Sequence, residues 1–383
     1  MRIVHISDIH LSADNFHDFE NSHRKALLDI LEFEHTREKN IDIIAITGDL
    51  VDQGGHSLIK MPRFDTTDPY EIFENEFILP IKHRLKLKNQ NFMIIPGNHD
   101  IDENGILWVD EKKLQKVETE RDKSMANERS INKIVDDNEF NFNRFNERVK
   151  KFKEFEERFH NCYPDKYRYT KNQSSYIYEY TEDIKVGFAL INDSWRCSTC
   201  ELKKYSTLDP PKGLYFGVKK QLDRTLNHLS DTTLNVILTH HPIDTYAENT
   251  DFENYITNKD FHIHLYGDKH SHQMNQHISS IGECFGLRAR AVLNNPNETQ
   301  SKYQPGFHII DICFDKNVVD CVTYYKYIAE RFEFVEDTDI TKGGKDKTPR
   351  PLRIKPRKEN IVLEETPKKD LDKLEIYKFL NNG

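Results

Sequence analysis

The chain has 383 residues, enough for about two ordinary domains or for one large domain with insertions. Hydrophobic residues make up 37% and charged residues 31%, with a net charge of −9, so a core can be buried and wholesale coating of nucleic acid is excluded, although a local basic patch is not. No apolar run reaches the roughly 18 residues that a membrane-spanning helix needs, and the six cysteines (Cys162, Cys197, Cys200, Cys284, Cys313 and Cys321) follow no regular framework, which points to a reducing compartment.

The first element is the strand pattern "MRIVHISDIH". No basic segment followed by an apolar one precedes it, so no signal peptide is expected, and the expected location is the cytoplasm. A helical pattern, "SHRKALLDILEFEHTREKN", comes next, followed by the short apolar runs "IDIIAITGD" and "NFMIIPGNHD". After a charged interval the runs resume as "KVGFALIND", "LNVILTHHP" and "FHIHLYGDKH". Strands alternating with helices predict βαβ units and a largely parallel, buried sheet. "GFHIIDICFD" and "VVDCVTYYKY", separated by a turn near Lys316 and Asn317, predict a hairpin on the sheet edge.

Two stretches break this rhythm. Residues 103–172 are strongly charged and lack strand runs, and Phe142, Phe145, Val149, Phe152, Phe155 and Phe159 recur at helical spacing. They predict a helical insertion that packs an aromatic stripe on the core, with a lid or partner-binding pair as the sharper alternative. Residues 331–383 are expected to form a tail. Within it "TKGGKDKTPRPLRIKPRK" holds eight basic residues, one acidic residue and three prolines, the composition of an extended linker. The sharper alternative there is a strap touching nucleic-acid backbone, and "LDKLEIYKFL" predicts a short terminal helix. The sequence contains no internal repeat.

Five apolar runs end in metal-ligand chemistry: Asp8 and His10, then Asp49, then Asn98 and His99, then His240 and His241, then Asp268 and His270. In an open α/β sheet, loops at the carboxyl ends of the strands converge, so residues up to 260 positions apart can meet. Carboxylate and imidazole donors without thiolate suit Mn²⁺, Fe or Zn²⁺, with Mg²⁺ as a harder alternative, and a carboxylate placed between two cations can bridge them. Each motif alone is weak evidence; five in this mixture are hard to obtain by chance.

In this order, D-x-H, G-D-x-x-D, G-N-H-D, H-H-P and a final G-x-x-H resemble the calcineurin-like metallophosphoesterases over residues 1–330, apart from most of the insertion at 103–172. The resemblance implies a four-layer α/β/β/α sandwich and two divalent cations. It implies Asp8, His10, Asp49 and His270 at the first cation, with Asp49 bridging, and Asn98 and His240 at the second. His99 would face the substrate and protonate the leaving oxygen, Asp52 would orient His99, and a water shared by the cations would attack the phosphorus. The family usually carries G-H-x-H in the last motif, whereas "GDKH" puts Asp268 where the first His would ligate; His272 is a substitute two residues beyond His270.

The implied substrate is a phosphate ester. The basic tail and the insertion favour a phosphodiesterase or nuclease-like hydrolase acting on nucleic acid or nucleotides. A phosphomonoesterase, or a weakened regulatory or binding module marked by Asp268, are the alternatives. A looser resemblance, in "NDSWRCS", "YFGVKKQLDRTL" and "VILTHHPID", is to phosphoesterase domains that open larger bacterial NTPase or repeat proteins, and it implies further domains or partner proteins. Among the remaining residues, Gly97 is expected to allow the turn and Asp100 to tie it down. His241 is expected behind the ligands, His5 in the core, and His262 and His264 facing helices or solvent. Trp195 is expected to pack on the pocket wall. The C-x-x-C pair Cys197 and Cys200 lacks a second pair at zinc spacing.

Overall fold

The computed structural model describes residues 1–354 except Glu38, Ile281, Thr299 and the segments 107–123, 138–145, 198–214 and 294–297. The expected terminal helix at 371–380, together with Phe142, Phe145 and Cys200, therefore lies outside the described residues.

The strands form two sheets, as the four-layer sandwich implied by the resemblance requires, each mixing parallel and antiparallel strands. In the first, β1 (Arg2–Ile6), β2 (Ile43–Thr47) and β3 (Phe92–Ile95) run parallel. On the other side of β1, β11 (Gly306–Cys313), β12 (Val318–Ile328) and β13 (Glu333–Glu336) join antiparallel, and β14 (Lys345–Asp346) and β15 (Arg350–Pro351) also pair with β12. The second sheet contains β4 (Tyr167–Tyr169), β5 (Ser174–Glu179), β6 (Lys185–Leu190), β7 (Leu234–Leu238), β8 (Ile263–Tyr266), β9 (Gln273–Ile278) and β10 (Glu283–Arg288). Its order is β4-β5-β6-β7-β8-β10-β9, with the central four strands parallel and the flanks antiparallel.

Alternation along the strands explains the layering. On β2, Ile44 and Ile46 face the first helical layer, where Leu27 and Leu31 of helix Arg24–Arg37 meet Phe73, Phe77 and Ile81. Ile43 and Ala45 point the other way and share a core with Val186, Phe188, Val236, Leu238 and Leu265 of the second sheet. Beyond that sheet, Ala189, Ile191 and Ile237 pack on Leu222 of helix Val218–His228 and on Phe252 and Ile256 of helix Asn249–Asn258. The layers are thus helix, sheet, sheet, helix. Apolar runs read as strands of one sheet because a strand covered on both faces looks alike in either sheet.

Local signals account for the helices. Asp68 caps helix Pro69–Phe73 by accepting from Tyr70 N at 2.9 Å, and Pro69 occupies the first turn, where no amide donor is required. In the insertion, helix Lys150–His160 buries Phe152, Phe155 and Phe159, and the Phe155 ring stacks on Tyr70 at 5.6 Å. The same segment ends in β4, a strand its charge had hidden. The hairpin is present as β11 and β12, with Asn317 in the left-handed turn conformation (φ 51°), but it is not the sheet edge because β13 lies outside it. Part of the basic stretch expected to be an extended linker pairs with β12 as β14 and β15, and Arg353 O accepts from His262 Nε2 at 3.0 Å on the second sheet. These two-residue strands, Lys-Asp and Arg-Pro, are too short and polar to carry a strand pattern in the sequence. No helix among the described residues is long and apolar enough to cross a membrane.

Candidate metal centre

The carboxyl ends of β1, β2 and β3 in one sheet and of β6, β7 and β8 in the other meet at one edge of the sandwich. The first two loops are zipped together by their backbones: Asp8 N donates to Gly48 O (3.1 Å), and Ile9 N and His10 N both donate to Asp49 O (2.8 Å). Five of the seven expected ligands, Asp8, His10, Asp49, Asp268 and His270, have left-handed φ between 49° and 69°. Such conformations cost non-glycine residues on the order of 1–3 kcal/mol each and persist where function requires the side chain to be aimed.

The glycines before Asp49, Asn98 and Asp268 make this crowding possible. Gly97 does not need glycine for its turn, since its backbone is extended (φ −111°, ψ −176°). It needs space: a Cβ there would lie 2.1 Å from Asp49 Oδ1. Gly48 combines both demands, with φ +89° and a Cβ position 2.5 Å from His240 Nδ1.

Side chains from five loops then converge. His10 Nε2 lies 3.2 Å from His270 Nε2, 3.9 Å from Asp8 Oδ1 and 3.5 Å from Asp49 Oδ2, and His270 Nε2 lies 3.4 Å from Asp8 Oδ1. On the other side His240 Nε2 is 3.3 Å from Asp49 Oδ2 and 3.0 Å from Asn98 Oδ1. Asp268 places a carboxylate oxygen within 4.8 Å of donor nitrogens of His240 and His241. Its backbone N donates to Asp8 Oδ2 (3.2 Å), and its Oδ2 is 2.7 Å from Lys269 Nζ.

The donor set fits cations. Asp8 Oδ1 is buried and accepts no hydrogen bond, while two imidazole nitrogens face it. A buried carboxylate oxygen without a donor is costly unless a positive charge completes its surroundings. Burial would raise Asp49, but the imidazoles of His240, His10 and His99 hold it well below the usual carboxylate range. Burial opposes the charge on His240, yet Asp49 raises its pKa to about 10. A proton on His240 occupies the role a cation would take, and metal binding would release it. His240 Nδ1 donates to Thr47 O (2.8 Å), which fixes the ring with Nε2 toward Asp49.

His99 and Asp52 stand beside this cluster. His99 Nδ1 is 2.6 Å from Asp52 Oδ1, and its backbone N donates to Asp49 Oδ1 (2.8 Å). Burial lowers the imidazole's affinity for a proton, but Asp49 and the bond to Asp52 outweigh it and raise His99 to about 9. His99 is 29% exposed at the side chain, so a bound molecule can reach it. The His99 and His10 rings meet edge to face at 4.5 Å.

Asp100 ties the turn as expected: its carboxylate accepts from Gly97 N (2.8 Å), Leu50 N (3.1 Å) and Val51 N (3.2 Å). His241 stands behind the ligands, with Nδ1 3.0 Å from Asp193 Oδ2. His5 is a satisfied core histidine, bridging His308 (2.8 Å) and Thr47 Oγ1 (2.9 Å). His262 and His264 are both buried, not solvent-facing. His272 cannot stand in for an imidazole at the Asp268 position, because its Nδ1 is turned to Arg288 O at 3.2 Å and its ring meets Tyr324. Trp195 is fully buried and donates to Phe216 O (3.0 Å).

Sequence reasoning missed Asp193. Its carboxylate accepts from His240 N (3.0 Å), His241 N (2.7 Å) and Tyr246 OH (2.5 Å). Burial opposes its ionisation, but the charge and hydrogen bond of His241 hold it at about 2. The signal was present: "KVGFALIND" is the one central run that had been given no functional tip.

Residues 1–272 match the family described as calcineurin-like phosphoesterase. No curated protein matches the chain. Among solved structures, a purple acid phosphatase from yellow lupin (Lupinus luteus) seeds is 13% identical with a TM-score of 0.41, over 88% of this chain and 52% of that one. The chain thus spans about half the length of the lupin phosphatase. Wild-type Vps29 of Entamoeba histolytica, complexed with Zn²⁺, is 10% identical with a TM-score of 0.30, over 91% of this chain and 99% of that one. The family match spans well over half the chain: this protein belongs to the calcineurin-like phosphoesterases, a family of metal-dependent phosphoric ester hydrolases that use a dinuclear centre.

Proposed function

We propose that the protein is a phosphodiesterase, nuclease-like in chemistry, that works with two divalent cations, Mn²⁺ foremost. The observation that carries this reading is Asp49, whose carboxylate faces His10 Nε2 at 3.5 Å on one side and His240 Nε2 at 3.3 Å on the other. Asp8, His10, Asp49 and His270 would hold one cation and Asp49, Asn98, His240 and Asp268 the other, and the pair would supply positive charge for phosphoryl oxygens and acidify water.

His99 is the residue of this chain that would handle the leaving group. Asp52 fixes its Nδ1 and so directs Nε2 outward. The Asp52 carboxylate at Nδ1 favours the protonated ring, which can give its proton to a departing alkoxide. Asp268 favours a diester over a monoester. It adds a negative charge that repels a doubly charged monoester more than a singly charged diester, and Lys269 at 2.7 Å offsets only part of it. Nucleic acid or a nucleotide is the natural ester this supports. We read the catalytic domain, expected to end at 330, as running on past that point with 103–172 inserted, because β13, β14 and β15 belong to its first sheet; further domains or partners would act through the insertion or the tail.

The test is hydrolysis of bis-p-nitrophenyl phosphate beside p-nitrophenyl phosphate with Mn²⁺, then with Fe, Zn²⁺ and Mg²⁺. Faster turnover of the diester is expected. Faster turnover of the monoester would make the protein a phosphomonoesterase. No turnover of either, with cations bound, would make it a regulatory or binding module.

A further inference from the structure

Next to the second-sheet half of the centre lies a cleft of about 340 Å³ that none of the roles above uses. Its floor is buried and apolar: Pro242, Ile243 and Tyr266. One wall is the edge strand β9. Side chains alternate along a strand, so Gln273, Asn275 and His277 share the face turned to the cleft. Asn275 Nδ2 donates to Tyr266 OH (3.0 Å) and Gln273 Nε2 to Asn275 Oδ1 (3.1 Å), which holds both amides in place above the floor. Asp244 and Glu253 also line the cleft, and Glu253 Oε1 lies 2.9 Å from His277 Nδ1 of β9.

The chain itself joins this cleft to the centre. Pro242 comes two residues after His240, and Tyr266 two residues before Asp268. The loops that leave β7 and β8 therefore carry both the ligands and part of the cleft lining. No Lys or Arg is among the described residues lining the cleft, and two carboxylates are, so it would repel a second phosphate. A flat, uncharged ring rich in N–H donors fits instead: apolar floor beneath, carboxylates and amide oxygens at its edge. The volume is at the lower end for ligand sites, about 300–1,000 Å³, which suits a base rather than a large group.

We propose that this cleft is the subsite for the nucleobase of a nucleoside phosphodiester, selective for bases with an exocyclic amino group. The proposal rests on the phosphodiesterase reading and adds to it the group that the ester carries.

Two measurements separate the two ideas. Ligand-observed saturation-transfer NMR with free cytidine, adenosine, uridine and choline reads the cleft of the metal-loaded protein without turnover. Cytidine and adenosine should bind, uridine more weakly, and Asn275→Ala should weaken cytidine by about tenfold, the loss of one good hydrogen bond. Equal binding of uridine, an Asn275→Ala variant that binds cytidine as the wild type does, or binding of choline alone overturns the subsite. In hydrolysis, the wild type should show a lower KM for the p-nitrophenyl ester of cytidine 5′-phosphate than for methyl p-nitrophenyl phosphate. Asn275→Ala should raise that KM toward the methyl ester's with kcat little changed. If both esters are cleaved with equal KM, the subsite falls and the phosphodiesterase reading stands. If neither is cleaved but cytidine binds through Asn275, the phosphodiesterase reading falls and the nucleoside site stands.

Discussion

The two sheet edges that build the centre use the same device with opposite electrostatics. At the first edge, Asp100 collects backbone donors from Gly97, Leu50 and Val51. At the second, Asp193 collects His240 N, His241 N and the Tyr246 hydroxyl. Burial, with Asp49 nearby, pushes Asp100 up to about 7 despite its three amide partners. Against the same burial, His241 holds Asp193 at about 2. A carboxylate fastening strand ends thus holds its charge firmly where imidazoles face it, and more weakly where another carboxylate does. Backbone pairs join the loops at both edges as well, Asp8 N to Gly48 O at the first and Gly267 N to His240 O at the second.

The largest expected effect removes what the two edges share. Asp49→Ala should lose both cations, because its carboxylate faces both imidazole groups. Elemental analysis that still finds full occupancy in this variant would show that Asp49 belongs to neither or to only one. Next comes a residue of the first edge alone. His99→Ala should retain the metals yet lose on the order of 10²–10⁴-fold in rate on alkyl leaving groups, and less on p-nitrophenyl esters, which need little protonation. Normal cleavage of an alkyl diester by this variant would remove the acid role.

The third prediction sharpens the contrast itself. Asp193→Asn should weaken the cation near His240 by about 10–100-fold, since it takes the charge that orients His240 and His241. Asp100→Asn should change metal affinity less, because Asp100 holds the backbone amides of Gly97, Leu50 and Val51 rather than a ligand imidazole. Calorimetric Mn²⁺ titrations of both variants check the order, and equal losses would refute the contrast. The smallest effect is expected at Asp268. Asp268→His removes a negative charge from the second edge, so water there should ionise more readily. The pH midpoint of the rate should fall and Mn²⁺ activity should rise. If activity drops or the preferred metal changes instead, Asp268 is a ligand tuned to this site.

The contrast also explains what the sequence made legible. Asp100 could be read because it sits inside "GNHD", beside the residues it serves. Asp193 serves residues 47 and 48 positions away, and only the topology brings them together. The ligand loops were legible because each lies within a few residues of an apolar run, and strand direction alone sends such residues to one edge. The split into two sheets was legible only through the family resemblance, because β6, β7 and β8 are covered on both faces just as β1, β2 and β3 are. Gly97 was rightly singled out for the wrong reason: its need is space beside Asp49, a contact across 48 residues that no local rule contains. His272 looked like a replacement ligand by spacing, but its pairing with Arg288 O turns it into the sheet flank.

The central claim is that one carboxylate, Asp49, joins two cation positions. Anomalous diffraction from crystals grown with Mn²⁺ tests it most directly. The account predicts two peaks, one among Asp8, His10 and His270 and one among Asn98, His240 and Asp268, both in contact with Asp49. A single peak, or a second peak that does not touch Asp49, would contradict it.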